Sequence, residues 1–102
     1  MTSIINLVLS SNFFNGTLLS EIGRFTILGA LDLDKNKFSG AIPTEIGNLK
    51  SLSDLSVNDN ELTGTVPTEI GLLQSLKTLS LFDNALTGTL PTEIGLLIGL
   101  DY

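Results

Sequence analysis

"GTVPTEIGLLQSL", residues 64–76, decides how the rest of the chain is read. Nearly the same string stands at 40–52 as "GAIPTEIGNLKSL" and at 88–100 as "GTLPTEIGLLIGL", a step of 24 residues each time. A catalytic motif usually occurs once, whereas a string repeated at equal spacing is an architectural unit. Other residues keep the same step: Asn12, Asn36, Asn60 and Asn84; Gly16, Gly40, Gly64 and Gly88; Gly23, Gly47, Gly71 and Gly95. Glu-Ile pairs recur at Glu21, Glu45, Glu69 and Glu93, and Pro43, Pro67 and Pro91 follow, with Leu19 in the first slot. The chain divides into four units, 4–27, 28–51, 52–75 and 76–99, and a fifth begins at Leu100.

Each unit holds seven columns that are always apolar, in the third unit Leu52, Leu55, Val57, Leu62, Val66, Ile70 and Leu73. One unit cannot bury seven such side chains alone, but stacked units cover one another. "DLSVN" at 54–58 alternates polar and apolar, which predicts a short strand with Leu55 and Val57 inward. Asn60 then ends the strand, and an inward Asn needs hydrogen-bond partners. The expectation is a buried ladder in which each amide bonds its own bend and the next coil. The first Gly of each unit is expected where the backbone bends or two segments approach. Pro-Thr-Glu suits entry to a short 3₁₀ or helical turn, with Pro fixing φ, Thr as a cap and Glu near the N-terminus. The second Gly is expected to close that turn.

The pattern LxxLxLxxNxLxGxIPxxIGxLxx, carried almost in full by "LSDLSVNDNELTGTVPTEIGLLQS" at 52–75, resembles the plant-type leucine-rich repeat. The resemblance runs over residues 4–100. It implies an α/β right-handed solenoid with a concave parallel sheet, a short second strand after the Asn turn, and 3₁₀ turns on the convex side. It also implies a non-catalytic recognition module for a protein, peptide or glycan, of the kind found in receptor or inhibitor ectodomains. That makes an extracellular or membrane-anchored setting the expected one. No ligand residue is common to the family, so only the ligand-facing positions carry over.

Composition narrows the alternatives. Eleven acids against five Lys and Arg give a net charge of −6, which opposes nucleic-acid binding. Without Cys or His there is no disulfide, no zinc site of the usual ligands and no His-based acid–base chemistry. No cofactor is expected. "MTSIINLVLS" at the start lacks the basic residues and cleavage site of a signal peptide, and its apolar residues fit the repeat. No apolar run is long enough to cross a bilayer. The Glu column reads as turn capping, since nothing separates two carboxylates into acid and base roles.

The informative residues lie outside the consensus. The outward strand positions form four columns: Asn6, Ala30, Asp54, Thr78; Val8, Asp32, Ser56, Ser80; Ser10, Asp34, Asn58, Phe82; and Ser11, Lys35, Asp59, Asp83. Five of the eleven acids fall here against one Lys. The expected contact surface is Asp32, Asp34, Lys35, Asp54, Asn58, Asp59, Ser80, Phe82 and Asp83, taking a basic or polar partner with Phe82 as apolar anchor. The plainer reading is that short polar side chains keep an exposed sheet soluble. Calcium on Asp34, Asn58 and Asp59 is conceivable chemically but lacks a fixed ligand loop, and no metal site is expected.

Two readings of other classes stand behind this one. Uncapped ends allow end-to-end self-association or use as a structural segment of a longer array. Thr17, Thr63, Thr65, Thr87 and Thr89 resemble the Thr arrays of ice-binding repeat proteins, although Ala41 and Ser39 interrupt them. Asn15-Gly16-Thr17 is the only N-glycosylation sequon, so Asn15 is a candidate acceptor.

Overall fold

The computed structural model describes residues 6–9, 15–17, 20–88 and 91. The 24-residue step becomes one coil of a right-handed α/β solenoid. Among the described residues each of the four coils contributes a strand to one sheet and a second strand to another, and the first three add a 3₁₀ turn on the return. The first sheet holds β1 (Asn6–Val8), β3 (Ala30–Asp32), β5 (Asp54–Ser56) and β7 (Thr78–Ser80), parallel and in that order. The second holds β2 (Asn15–Thr17), β4 (Lys37–Gly40), β6 (Glu61–Gly64) and β8 (Ala85–Leu86), also parallel. The 3₁₀ turns are Ser20–Arg24, Thr44–Asn48 and Thr68–Leu72.

The first sheet keeps the sequence repeat in its register: Asn6 pairs Ala30, Ala30 pairs Asp54 and Asp54 pairs Thr78. Leu31, Leu55 and Leu79 therefore stack inward, as the alternation predicts, and all three are buried. They join Leu33, Val57, Leu62, Ile42, Val66, Ile46, Ile70, Leu49, Leu73, Leu28, Leu52 and Leu76 in one continuous core. All seven apolar columns of the third unit are buried. Such burial is the main favourable term in a solenoid, because each coil removes its neighbour's apolar face from water.

The second sheet has a different register. Thr17 pairs Ser39, Ser39 pairs Glu61 and Thr63 pairs Ala85, a step of 22 rather than 24. Repeat-equivalent residues therefore do not face one another across these strands.

The buried ladder exists, with its direction reversed from expectation. Asn60 Nδ2 donates to Val57 O and Asn58 O of its own bend at 3.1 Å, and to Leu33 O of the preceding coil at 2.9 Å. Its Oδ1 accepts from Phe38 N, also in the preceding coil. Asn36 Nδ2 repeats the pattern on Leu9 O, Leu33 O and Asp34 O. Asn84 does so on Val57 O, Leu81 O and Phe82 O, with Leu62 N on its Oδ1. Each amide thus ties its coil to the one before it. The bend carbonyls and the preceding coil's carbonyls converge on the same point, and only the –NH₂ end of the amide can answer them. Asn12 lies outside the described residues.

The 3₁₀ turns correct two further expectations. Pro43 and Pro67 occupy the N-cap with extended backbone, and no side chain caps either turn. Thr44 and Thr68 turn their hydroxyls to Glu45 and Glu69 instead, at 3.4 Å. Pro43 O and Pro67 O accept from Ile46 N and Ile70 N at 3.1 Å, closing the turn through the backbone. The second Gly does not close the turn. It lies within it, where adjacent coils touch: a Cβ on Gly47 would stand 3.0 Å from Glu69 Cβ and Glu69 O. A Cβ on Gly23 would meet Glu45 O at 2.8 Å. The Gly column and the Glu column are therefore the two sides of one inter-coil contact.

Candidate ligand-binding surface

The outward side of the first sheet carries the candidate site, and its register brings the expected columns together. Asp54 stands between Ala30 and Thr78, and Ser56 between Asp32 and Ser80. Thr78 Oγ1 donates to Asp54 Oδ1, and Ser53 Oγ donates to Asp54 Oδ2 at 3.0 Å. The Thr78 hydroxyl first, then Ser53, with Lys77 nearby, hold the exposed Asp54 carboxyl below its ordinary value. Asp54 is thus a charged acceptor fixed in place rather than a freely rotating one.

A second side-chain network runs across the third column. Asp34 Oδ1 accepts from Ser56 Oγ at 2.6 Å and from Asn58 N at 2.7 Å. One coil on, Asn58 Nδ2 donates to Ser80 Oγ at 2.8 Å and to Ser56 Oγ at 3.2 Å, while its Oδ1 accepts from Phe82 N at 2.9 Å. Asp34 and Asn58 do the same work in successive coils: each receives a backbone N–H from 24 residues further on. Asn58 is only 6% exposed, so the structure withdraws it from the open contact surface that strand alternation suggested. It supports that surface from below. The reason is that its amide lies along the next coil, on Ser80 Oγ and Phe82 N. This network was not legible as a network, although the recurrence of Asp34 and Asn58 beside Ser56 and Ser80 is its signature. It also engages Asp34 and Asn58 oxygens that the calcium alternative would need. Among the described residues no group of three or more His, Cys, Asp or Glu is arranged to hold a metal ion.

The network ends at Phe82, whose side chain is 61% exposed. Beside it the fourth column departs from a strand altogether. Lys35, Asp59 and Asp83 take left-handed backbone, with φ of 57°, 58° and 57°. Sequence reading missed this, since left-handed positions usually signal Gly or Asn, although Asp is also tolerated there. The bend puts Asp59 beside Asp83. Desolvation first, then the hydrogen-bonded and like-charged Asp83, raise the Asp59 carboxyl above its ordinary value, against the opposing pull of Lys35. The face therefore presents the exposed Phe82 ring next to Asp59 and Asp83, with Asp54 and Asp32 further along the same sheet, on a base whose Asp34, Ser56 and Asn58 groups are hydrogen-bonded to one another.

The Thr columns fare differently. Thr63, Thr65 and Thr87 are exposed, but Thr65 falls after β6, and Thr63 pairs with Ala85. Thr17 lies on β2 and Thr89 outside the described residues. The 22-residue register breaks the 24-residue Thr column into mixed rows.

A solenoid of this repeat, with a ladder of Asn amides and a parallel sheet of short strands, defines a leucine-rich-repeat protein. The Leucine Rich Repeat family model matches residues 28–49, 51–73 and 75–97, and the chain belongs to that family. No curated protein matches the chain. Among solved structures, the leucine-rich-repeat ectodomain of the plant membrane receptor kinase GASSHO1/SCHENGEN3 from Arabidopsis thaliana, in complex with CASPARIAN STRIP INTEGRITY FACTOR 2, is 44% identical with a TM-score of 0.95. The match covers 98% of this chain and 12% of that one. The plant peptide hormone receptor RGFR1, in complex with RGF2, is 49% identical with a TM-score of 0.95, over 98% of this chain and 16% of that one. A plant ice-binding protein is 31% identical with a TM-score of 0.87, over 92% of this chain and 31% of that one. The chain thus spans less than a third of the length of each of these structures.

Proposed function

We propose that the outward face of the first sheet is a non-catalytic recognition surface for a peptide or protein segment bearing basic or polar groups, working in an extracellular or membrane-anchored ectodomain. The observation that carries the reading is Phe82, an exposed ring beside Asp59 and Asp83 on a hydrogen-bonded base. An apolar anchor beside acidic acceptors suits an extended chain with a cationic side chain next to an apolar one. Preorganised acceptors lower the ordering cost of binding, because Asp54 is already held by Thr78 and Ser53. Two of the similar structures are plant receptors, one of them as its leucine-rich-repeat ectodomain, and each is in complex with a partner named above. That likeness supports a peptide or protein partner over a glycan.

The test immobilises the wild-type chain beside Phe82→Ala/Asp59→Asn/Asp83→Asn. A randomised displayed-peptide library is passed over both, after circular dichroism has matched their folds. The expected result is enrichment of Lys- or Arg-containing peptides on the wild type alone. Equal enrichment on both, or none on either, overturns the assignment of this face.

A second reading, ice binding through the second sheet, is favoured by the likeness to a plant ice-binding protein. The mixed rows of that sheet weigh against it. Growth of an ice crystal in the purified protein separates the two, since a faceted crystal would support it and a smooth disc would end it.

A further inference from the structure

The sequon Asn15-Gly16-Thr17 has no part in the recognition surface, and the fold puts it on β2, in the other sheet. Its two reactive positions head repeat columns that can be followed down the solenoid. The Asn15 column continues as Ser39, Thr63 and Thr87, of which Thr63 and Thr87 are exposed. The Thr17 column continues as Ala41 and Thr65, both exposed. Gly16 between them is exposed with φ of 91°, and a Cβ built on it would have no atom within 4 Å. Gly64 and Gly88, which have a coil before them, are exposed too, while Gly40 is half-buried.

We propose that Asn15 is an N-glycan acceptor, and that its oligosaccharide stands on the lateral sheet, leaving the acidic face uncovered. In the transfer, Asn15 Nδ2 bonds to C1 of the first sugar of a lipid-pyrophosphate-linked oligosaccharide. The C1–O bond breaks, its electron pair leaves on the pyrophosphate, and one amide proton passes to the transferase. The hydroxyl two residues on, from Thr17, is what the sequon requires. Ser39, Thr63 and Thr87 replace Asn15 in the later coils, so the modification is confined to the first.

The proposal needs passage through a secretory route but not the ligand reading, and the experiment supplies that route. The full chain is secreted from a eukaryotic host and its intact mass measured before and after enzymatic glycan release. A mass above the polypeptide value that collapses on release, with Asn15 converted to aspartate, is expected. Thr17→Ser should keep it, whereas Thr17→Ala and Asn15→Gln should lose it. Thr63→Asn serves as control, because with Gly64 and Thr65 it recreates the same tripeptide in the same column. A secreted wild-type chain at its bare polypeptide mass overturns the proposal, whether or not the control is modified.

Discussion

Asn60 uses both halves of its amide inside the fold, three donations and one acceptance joining two coils. Asn60→Leu removes all four. All three carbonyls keep another donor, since Asn36 also reaches Leu33 O, Asn84 also reaches Val57 O and Lys35 N donates to Asn58 O. The loss should therefore sit near about 1 kcal/mol per bond rather than at the full penalty for orphaned groups, or ~3–4 kcal/mol together. Denaturant midpoints at unchanged m-value would measure it. Asn60→Asp should cost more at neutral pH, because a carboxylate oxygen then faces three carbonyls. At the surface, Asp59 and Asp54 have opposite signs. Asp59 is raised above its ordinary 3.8, so the folded state binds that proton more tightly than the unfolded one. Its contribution favours folding below pH 3.8 and is lost as pH rises through the raised value. Asp59→Asn should thus stabilise the protein at pH 7, with the gain vanishing in acid. Asp54 is lowered from 3.8, so its contribution is present above that pH and lost as pH falls through the lowered value. Asp54→Asn should be destabilising at pH 7 and neutral in acid. Thermal melts of both variants from pH 2.5 to pH 7 check the two signs against each other.

At the scale of elements, two glycine columns do different work, and alanine separates them. Gly64 has φ of 77° and a built Cβ 3.9 Å from Ala41 Cβ, so alanine there meets conformational strain without a clash. That strain is about 1–2 kcal/mol. Gly47 lies in a 3₁₀ turn, and its alanine would press on backbone and side chain of the next coil at 3.0 Å. Overpacking of this kind costs ~1–3 kcal/mol, and Gly23→Ala, at 2.8 Å from a carbonyl, should cost more than Gly47→Ala. A ranking of Gly23, Gly47 and Gly64 alanine variants by unfolding free energy checks it, and Gly64 proving worst would be contrary to the packing account. The first strand of each coil was legible in the sequence because its register equals the repeat, so columns written from the 24-residue step are real columns. The second strand was expected but its register was not legible, because a shear of two residues between coils depends on how the backbone climbs through the bend. The left-handed Lys35, Asp59 and Asp83 were missed because alternation predicts outward positions only while the chain stays extended, and Asn58 was missed because its amide finds polar partners on the next coil. The turn caps failed as expectations because Pro43 and Pro67 hold the N-cap and have no side-chain oxygen to offer the turn's free N–H groups.

At the scale of the whole molecule, a net charge of −6 gives the solenoid a field that reaches beyond any contact. Asp32, Asp34, Asp54, Asp59 and Asp83 gather much of it on one face. A basic peptide should be drawn to that face, and salt should weaken the attraction, since screening shortens from about 10 Å at 0.1 M to about 3 Å at 1 M. Steering of this kind acts on the association rate, whereas a ring in contact acts on dissociation. The two parts of the site are therefore separable with one selected Lys- or Arg-containing peptide. Asp59→Asn/Asp83→Asn should slow association at low salt and flatten its salt dependence, with the dissociation rate little changed. Phe82→Ala should leave the salt dependence of association intact and speed dissociation by about tenfold, the effect of roughly 1.4 kcal/mol of lost contact. Surface plasmon resonance across a salt series reads both rates at once. If Phe82→Ala left dissociation alone while the double Asn variant abolished binding, the ring would be a bystander and the face purely electrostatic. If the double variant changed nothing, the acids would be doing no more than keeping the sheet soluble, and the ligand would have to be sought on another face.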